Sequence, residues 1–202
     1  MKTNHSFLAL AVLASSTFTA NAAVIANTLS ANNQANLAAD AGQTFTTTVL
    51  GTENALSTIE IEGPQTAAGP LGPFTLQLFT DADGDHMTWG LGTLLASSDS
   101  QTFTAGATEI STFTFASQPV LLDNTPYAFV FTDGSGTPVE ARFGLTNASA
   151  ITDGTLFGGG AQQFGDAYDT AMRITTVNPV PEPSSALLTG LSALALLRRH
   201  RK

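Results

Sequence analysis

Between Gln43 and Pro179 the apolar residues fall at every second position in short bursts, and no stretch sustains a helical period. Ile59 and Ile61 alternate with Thr58, Glu60 and Glu62; Leu76 with Leu78, Phe113 with Phe115, Phe129 with Phe131 and Met172 with Ile174 repeat that spacing. Successive side chains of a strand point to opposite faces, so this pattern demands sheets with one dry face and one wet face. Those ten apolar residues are the expected core.

Eight segments rich in Thr, Val, Ile and Phe follow this rule: 44–50, 56–62, 74–80, 92–97, 109–116, 127–132, 139–145 and 170–177. Turn residues separate them, among them Gly51, Asp133-Gly134, Asp153-Gly154 and Gly158-Gly159-Gly160, the last read as loop. So many strands in one domain predict an all-β fold, an antiparallel β-sandwich of jelly-roll-like type. Thr and Ser recur without a fixed repeat, which argues against a solenoid. The longer connections, 64–73 and 145–169, are where loop-borne function would reside.

Residues 23–42 read as a leading arm before the sandwich domain at 43–178, with a short strand at 23–26. Composition also allows a helix over 29–39, against which four Asn and Gln count.

The two ends are of another kind. Lys2, the apolar run from Phe7 to Ala14 and the small-residue site Ala20-Asn21-Ala22 make residues 1–22 a secretory signal peptide cut after Ala22. Residues 179–202 combine Pro181-Glu182-Pro183, an almost wholly apolar stretch at 186–197 and the basic cluster 198–202. The prolines enforce an extended, accessible backbone around Glu182. The apolar stretch is a short hydrophobic helix, well below the ~20 residues that span a bilayer, and the basic cluster would stay cytoplasmic as a stop.

Charge sharpens the contrast. Only Arg142 and Arg173 stand against 15 acids between Ala23 and Pro179, a net charge of −13 for the mature part. Such a surface repels phosphate backbones, which excludes nucleic-acid binding, and it favours solubility and divalent cations. The chain has 0 Cys, so packing must stabilise it without disulfides, and thiol catalysis and thiolate metal sites are excluded.

The order of Pro181-Glu182-Pro183, apolar helix and Arg198-Arg199 terminus closely resembles the PEP-CTERM sorting signal of Gram-negative bacteria. The resemblance implies export through the Sec translocon and signal peptidase, and transient inner-membrane anchoring by the 186–197 segment. It also implies processing by an exosortase and delivery to the cell surface or extracellular matrix. An ordinary C-terminal anchor with a Pro-rich stalk is the plainer alternative. The middle region resembles exported choice-of-anchor β-sandwich domains, through Phe74-Thr-Leu-Gln-Leu-Phe-Thr-Asp81, Gly92-Thr-Leu-Leu-Ala-Ser97 and Asn124-Thr-Pro-Tyr-Ala-Phe-Val-Phe131. Where that group often has a Gly-Pro-Gly-like turn, this chain has Met87-Thr-Trp-Gly-Leu-Gly92. No enzymatic activity comes with this second resemblance.

Asp81, Asp83 and Asp85 alternate just past a strand and offer the oxygen ligands Ca²⁺ needs, although the loop lacks the EF-hand's glycine and glutamate positions; a solvated acidic turn is the competing reading. Asp166 and Asp169 could add a second acidic edge, but they read first as loop and strand-start residues. The mature part has one histidine, His86, and no Gly-x-Ser-x-Gly elbow, which disfavours a Ser-His-Asp hydrolase and excludes a histidine zinc site. Glu60 and Glu62 share a strand face as a glycosidase pair would, yet beside Ile59 and Ile61 they read as an ordinary wet face. Trp89 and Tyr168 could stack on sugar rings, whereas Tyr127 should pack within its strand.

The expected function is therefore a non-enzymatic cell-surface or matrix protein, structural or adhesive in exopolysaccharide or biofilm. A carbohydrate-binding module, with or without calcium, is the alternative.

Overall fold

The computed structural model describes residues 21–66, 69–82, 90–104, 109–147, 151 and 154–179. The first 20 residues, the tail from Val180 onward, and Asp83, Asp85, His86 and Trp89 lie outside the described residues, and with them nearly all of the two ends expected to be targeting segments and most of the acidic loop.

The described residues form thirteen strands, one 3-10 turn at Gly165–Ala167 and no α-helix. The strands are β1 (Ala22–Asn27), β2 (Asn33–Leu37), β3 (Gly42–Thr46), β4 (Ala55–Glu62), β5 (Phe74–Asp81), β6 (Leu91–Gln101), β7 (Ile110–Thr114), β8 (Pro126–Thr132), β9 (Ala141–Asn147), β10 (Thr155–Gly158), β11 (Ala161–Gln162), β12 (Tyr168–Thr170) and β13 (Met172–Val177). One sheet runs β1-β13-β4-β7, a second β11-β10-β3-β8-β5-β6, and a short third β12-β9-β2, with all pairing antiparallel.

The dry faces of the first two sheets meet in one aromatic core. Phe131 of β8 lies 6.2 Å from Phe113 of β7, centroid to centroid, and Phe103 bridges both at 6.0 and 6.1 Å. All ten apolar residues expected inside from their spacing are fully buried.

Each segment expected to be a strand overlaps one, although β3 begins earlier and 47–50 lie in the loop after it. The region before them differs. Where composition allowed a helix over 29–39, the chain makes β2, whose Ala35 and Leu37 alternate inward while Asn33 and Asn36 face out. Four amide side chains gain little in a helix, and pairing with β9 satisfies this backbone instead. The connection 145–169 also carries structure. Leu156 and Phe157 are both buried in β10, and Gly158 ends that strand rather than lying in a loop. Only Gly159 and Gly160 turn, with φ of 62° and 71°, the double left-handed geometry that a two-residue hairpin needs.

Register fixes two ends of the molecule. At one, Ala22 pairs with Val177 and Val177 with Ala55, while the β3–β4 and β7–β8 loops are laced together. There Thr47 Oγ1 donates to the Leu122 carbonyl at 2.6 Å, and the Leu50 N–H donates to Asp123 at 2.9 Å. The mouth of the β5–β6 connection opens at this same end, where Thr80 pairs with Tyr127 and Asp81 with Leu91. The opposite end holds Glu62, Met172 and the third sheet, which β12 joins to β13 through Ala171.

Candidate functional site

Four clusters of polar side chains could bear function, and each is defined by how strand register places it. Glu60 projects from β4 opposite Arg173 of β13, and cross-strand pairing brings the two together. Arg173 donates to both Glu60 oxygens, at 2.5 and 2.6 Å, the planar fork-to-carboxylate geometry. That hydrogen bond and the carboxylate's charge hold the guanidinium above its ordinary pKa.

Glu62 departs from expectation. Alternation puts it on the wet face with Glu60, but it is buried at 4 % exposure and accepts the Ser30 and Ala31 N–H groups at 2.9 and 2.8 Å. The β1–β2 connection folds over this end of β4, and Glu62 supplies the acceptor those two amides would otherwise lack. Neither glutamate is a free acid facing a cleft, so the pair has no glycosidase arrangement. Identical alternation should therefore give unequal results on substitution. Glu62→Ala, which removes the acceptor of two part-buried N–H groups, is expected to lower stability by roughly 1–3 kcal/mol. Glu60→Ala, at a partly exposed pair, should cost less than about 1 kcal/mol. Urea midpoints of the two variants would check this, and equal losses would contradict the assignment.

The third cluster is internal. Asp169 of β12 is 1 % exposed, and its two oxygens accept from Gln43 Nε2 at 2.9 Å and from the Ile151 N–H at 3.1 Å. Gln43 is fully buried and accepts the Thr170 N–H at 2.6 Å through its own carbonyl. Beside them Thr44 Oγ1 accepts the Thr155 N–H at 3.0 Å. Gly154 passes so close that a Cβ there would lie 3.0 Å from both Asp169 Oδ1 and Gln43 Nε2. This arrangement is a structural clamp across two sheets, not a solvent-facing acid. Asp166 lies in the 3-10 turn and Asp169 in the short strand β12, in line with their first reading as loop and strand-start residues.

Asp81 ends β5 at the mouth of the acidic connection. Among the described residues no group of three or more His, Cys, Asp or Glu could hold a metal ion, and Asp83 and Asp85 are not among them. Of the aromatic residues, Tyr127 packs as expected, stacked on Phe45 at 5.8 Å with its hydroxyl accepting the Leu122 N–H. Burial pushes its phenol above the ordinary value, against the smaller opposing effect of that hydrogen bond. Tyr168 is half-buried and meets the half-exposed ring of Phe164 edge-on at 5.7 Å. Nothing in the sequence singles out Phe164, because its exposure comes from a left-handed backbone at φ 62° that no spacing rule anticipates. Trp89, the other aromatic residue expected to meet sugar, lies outside the described residues.

No protein-family model, no curated protein and no solved structure matches this chain.

The described residues thus supply a rigid scaffold whose interior carboxylates are occupied by backbone and amide donors. Asp133 shows the same habit on the surface: its side chain accepts from Ser135 N, Ser135 Oγ and Thr137 N, which pulls its carboxyl below the ordinary value and closes the β8–β9 turn.

Proposed function

We propose that this chain is an exported, non-enzymatic component of the cell surface or extracellular matrix, sorted through a PEP-CTERM and exosortase route and structural or adhesive in polysaccharide-rich material. One observation carries it: Pro181-Glu182-Pro183, the apolar run 186–197 and Arg198-Arg199 succeed one another in that family's order, with a small-residue cleavage site after Ala22 at the other end. Sec translocon, signal peptidase and exosortase are the implied partners. Membrane attachment is through the tail alone until processing.

The strand orders support a β-sandwich of jelly-roll type for the mature part. With β2 and β9–β12 set aside as insertions, consecutive strands alternate between the sheets β1-β13-β4-β7 and β3-β8-β5-β6, apart from the β5–β6 hairpin. Two nested Greek keys give this order. The involvement of Glu60, Glu62 and Asp169 in structural bonds supports a passive role.

The exposed Phe164 beside Tyr168 favours a second reading, a carbohydrate-binding module whose aromatic rings stack on sugars. Glycan arrays run with and without chelator test it, and the absence of binding in both conditions would remove it.

For the sorting route, the intact mass of the surface form is the decisive measurement. The parent chain is expected to lose Arg198–Lys202, whereas Glu182→Ala should remain untrimmed in the inner-membrane fraction. Identical trimming of the two forms would refute the assignment.

A further inference from the structure

The four most exposed large apolar side chains among the described residues are Val49 at 73 %, Leu122 at 64 %, Val24 at 55 % and Val120 at 51 %. Register gathers them at one end. Val120 bridges Ala55, which pairs with Val177, and Val24 pairs with Thr175 two residues before the last strand finishes. Val49 and Leu122 stand on the two loops laced by the Thr47–Leu122 and Leu50–Asp123 hydrogen bonds. The far end of the molecule shows no comparable gathering among the described residues: Ile110 and Phe164 are less exposed and lie on separate elements.

This is also the end from which the chain leaves. Val177 closes β13 opposite Ala22, so both termini of the domain emerge side by side. Seven residue steps separate Pro179 from Ala186, where the apolar run begins. Extended, they reach at most about 25 Å, shorter than the roughly 40 Å breadth of a domain this size. A tail held in a bilayer therefore keeps this end within about 25 Å of the lipid.

We propose that the end of the domain bearing Val49, Val120 and Leu122 rests on the lipid surface while the tail is in place. This rests on the reading that the 186–197 run enters the membrane. Apolar side chains on short, hydrogen-bonded loops can enter the headgroup region without rearranging the fold. The charge at this end selects the lipid. Glu53, Asp81 and Asp123 lie on the same loops and strand ends, so contact is with neutral headgroups, and anionic lipid repels it.

The absence of cysteine makes the test direct. Single-cysteine variants of the 23–202 chain are labelled with a fluorophore and inserted into phosphatidylcholine vesicles carrying nitroxide-labelled lipid. The sites are Val49→Cys, Leu122→Cys, Ala161→Cys at the far end, and Ala193→Cys in the apolar run. Quenching severalfold stronger at positions 49 and 122 than at 161, and weaker when anionic lipid is added, is expected. Quenching at 193 with none above background at 49 and 122 overturns the lipid contact and leaves membrane anchoring standing. No quenching at 193 overturns both.

Discussion

Phe131→Ala is expected to remove a large share of the domain's stability, on the order of 3–5 kcal/mol of the 5–15 kcal/mol that a domain typically has. The ring is fully buried and meets five others: Phe74 at 5.5 Å, Phe103 at 6.0 Å, Phe113 at 6.2 Å, Phe129 at 6.0 Å and Phe143 at 5.0 Å. These partners come from β5, the segment after β6, β7, β8 itself and β9, so one truncation opens a void that no single element can move to fill. Sheets are stiffer than a mobile loop, and the surrounding rings cannot collapse without breaking strand register. The loss should appear as a fall in urea midpoint of about 2 M at unchanged slope. Phe131→Leu, which refills part of the space, should cost markedly less. A midpoint within a few tenths of molar of the parent's would show that the two sheets do not depend on this contact.

The hub was legible because Phe129 and Phe131, like Phe113 and Phe115, declare a dry face by spacing alone. Strict alternation of dry and wet faces is lost in β3 and β8, which are buried on successive positions, and three further places show why it fails. Leu156 and Phe157 of β10 are buried on successive positions, so the strand has no wet face to betray it. In β2 the inward residues are only Ala35 and Leu37, and the polar Asn33, Gln34 and Asn36 around them hide a strand pairing decided about 100 residues away by β9. Glu62 shows the limit most clearly: its period is that of an exposed residue, but Ser30 and Ala31, distant in sequence, cover it. Local pattern reports which face a residue takes and is silent about what lands on that face. For the site the same limit is sharper. The tail motif on which the proposed sorting route rests lies outside the described residues and is read from the sequence alone. The clamp at Asp169, by contrast, exists only because β3, β12 and the 151–154 turn converge.

That clamp makes the second large prediction. Asp169→Ala leaves Gln43 Nε2 and the Ile151 N–H without acceptors in a buried site, and a stability loss of roughly 2–5 kcal/mol is expected. Asp169→Asn is the informative partner, because it keeps shape and volume and removes only one acceptor. Its single carbonyl can serve Gln43 or Ile151, and its amide must then point hydrogen at the other donor. Gln43 cannot relieve this by turning over, since its own carbonyl accepts the Thr170 N–H at 2.6 Å and reversal would place two donors there as well. Asp169→Asn should therefore cost about 1–3 kcal/mol despite being nearly isosteric. Gln43→Ala in the Asp169→Ala background should add less than it costs alone, because the shared hydrogen bonds are already gone. Amide exchange gives a local check, with Ile151 losing protection in both Asp169 variants ahead of Leu76 or Phe129 in the sheet interior. If Asp169→Asn unfolds at the same urea concentration as the parent, the carboxylate is not the acceptor that joins the sheets, and the buried donors must find another partner when it is replaced.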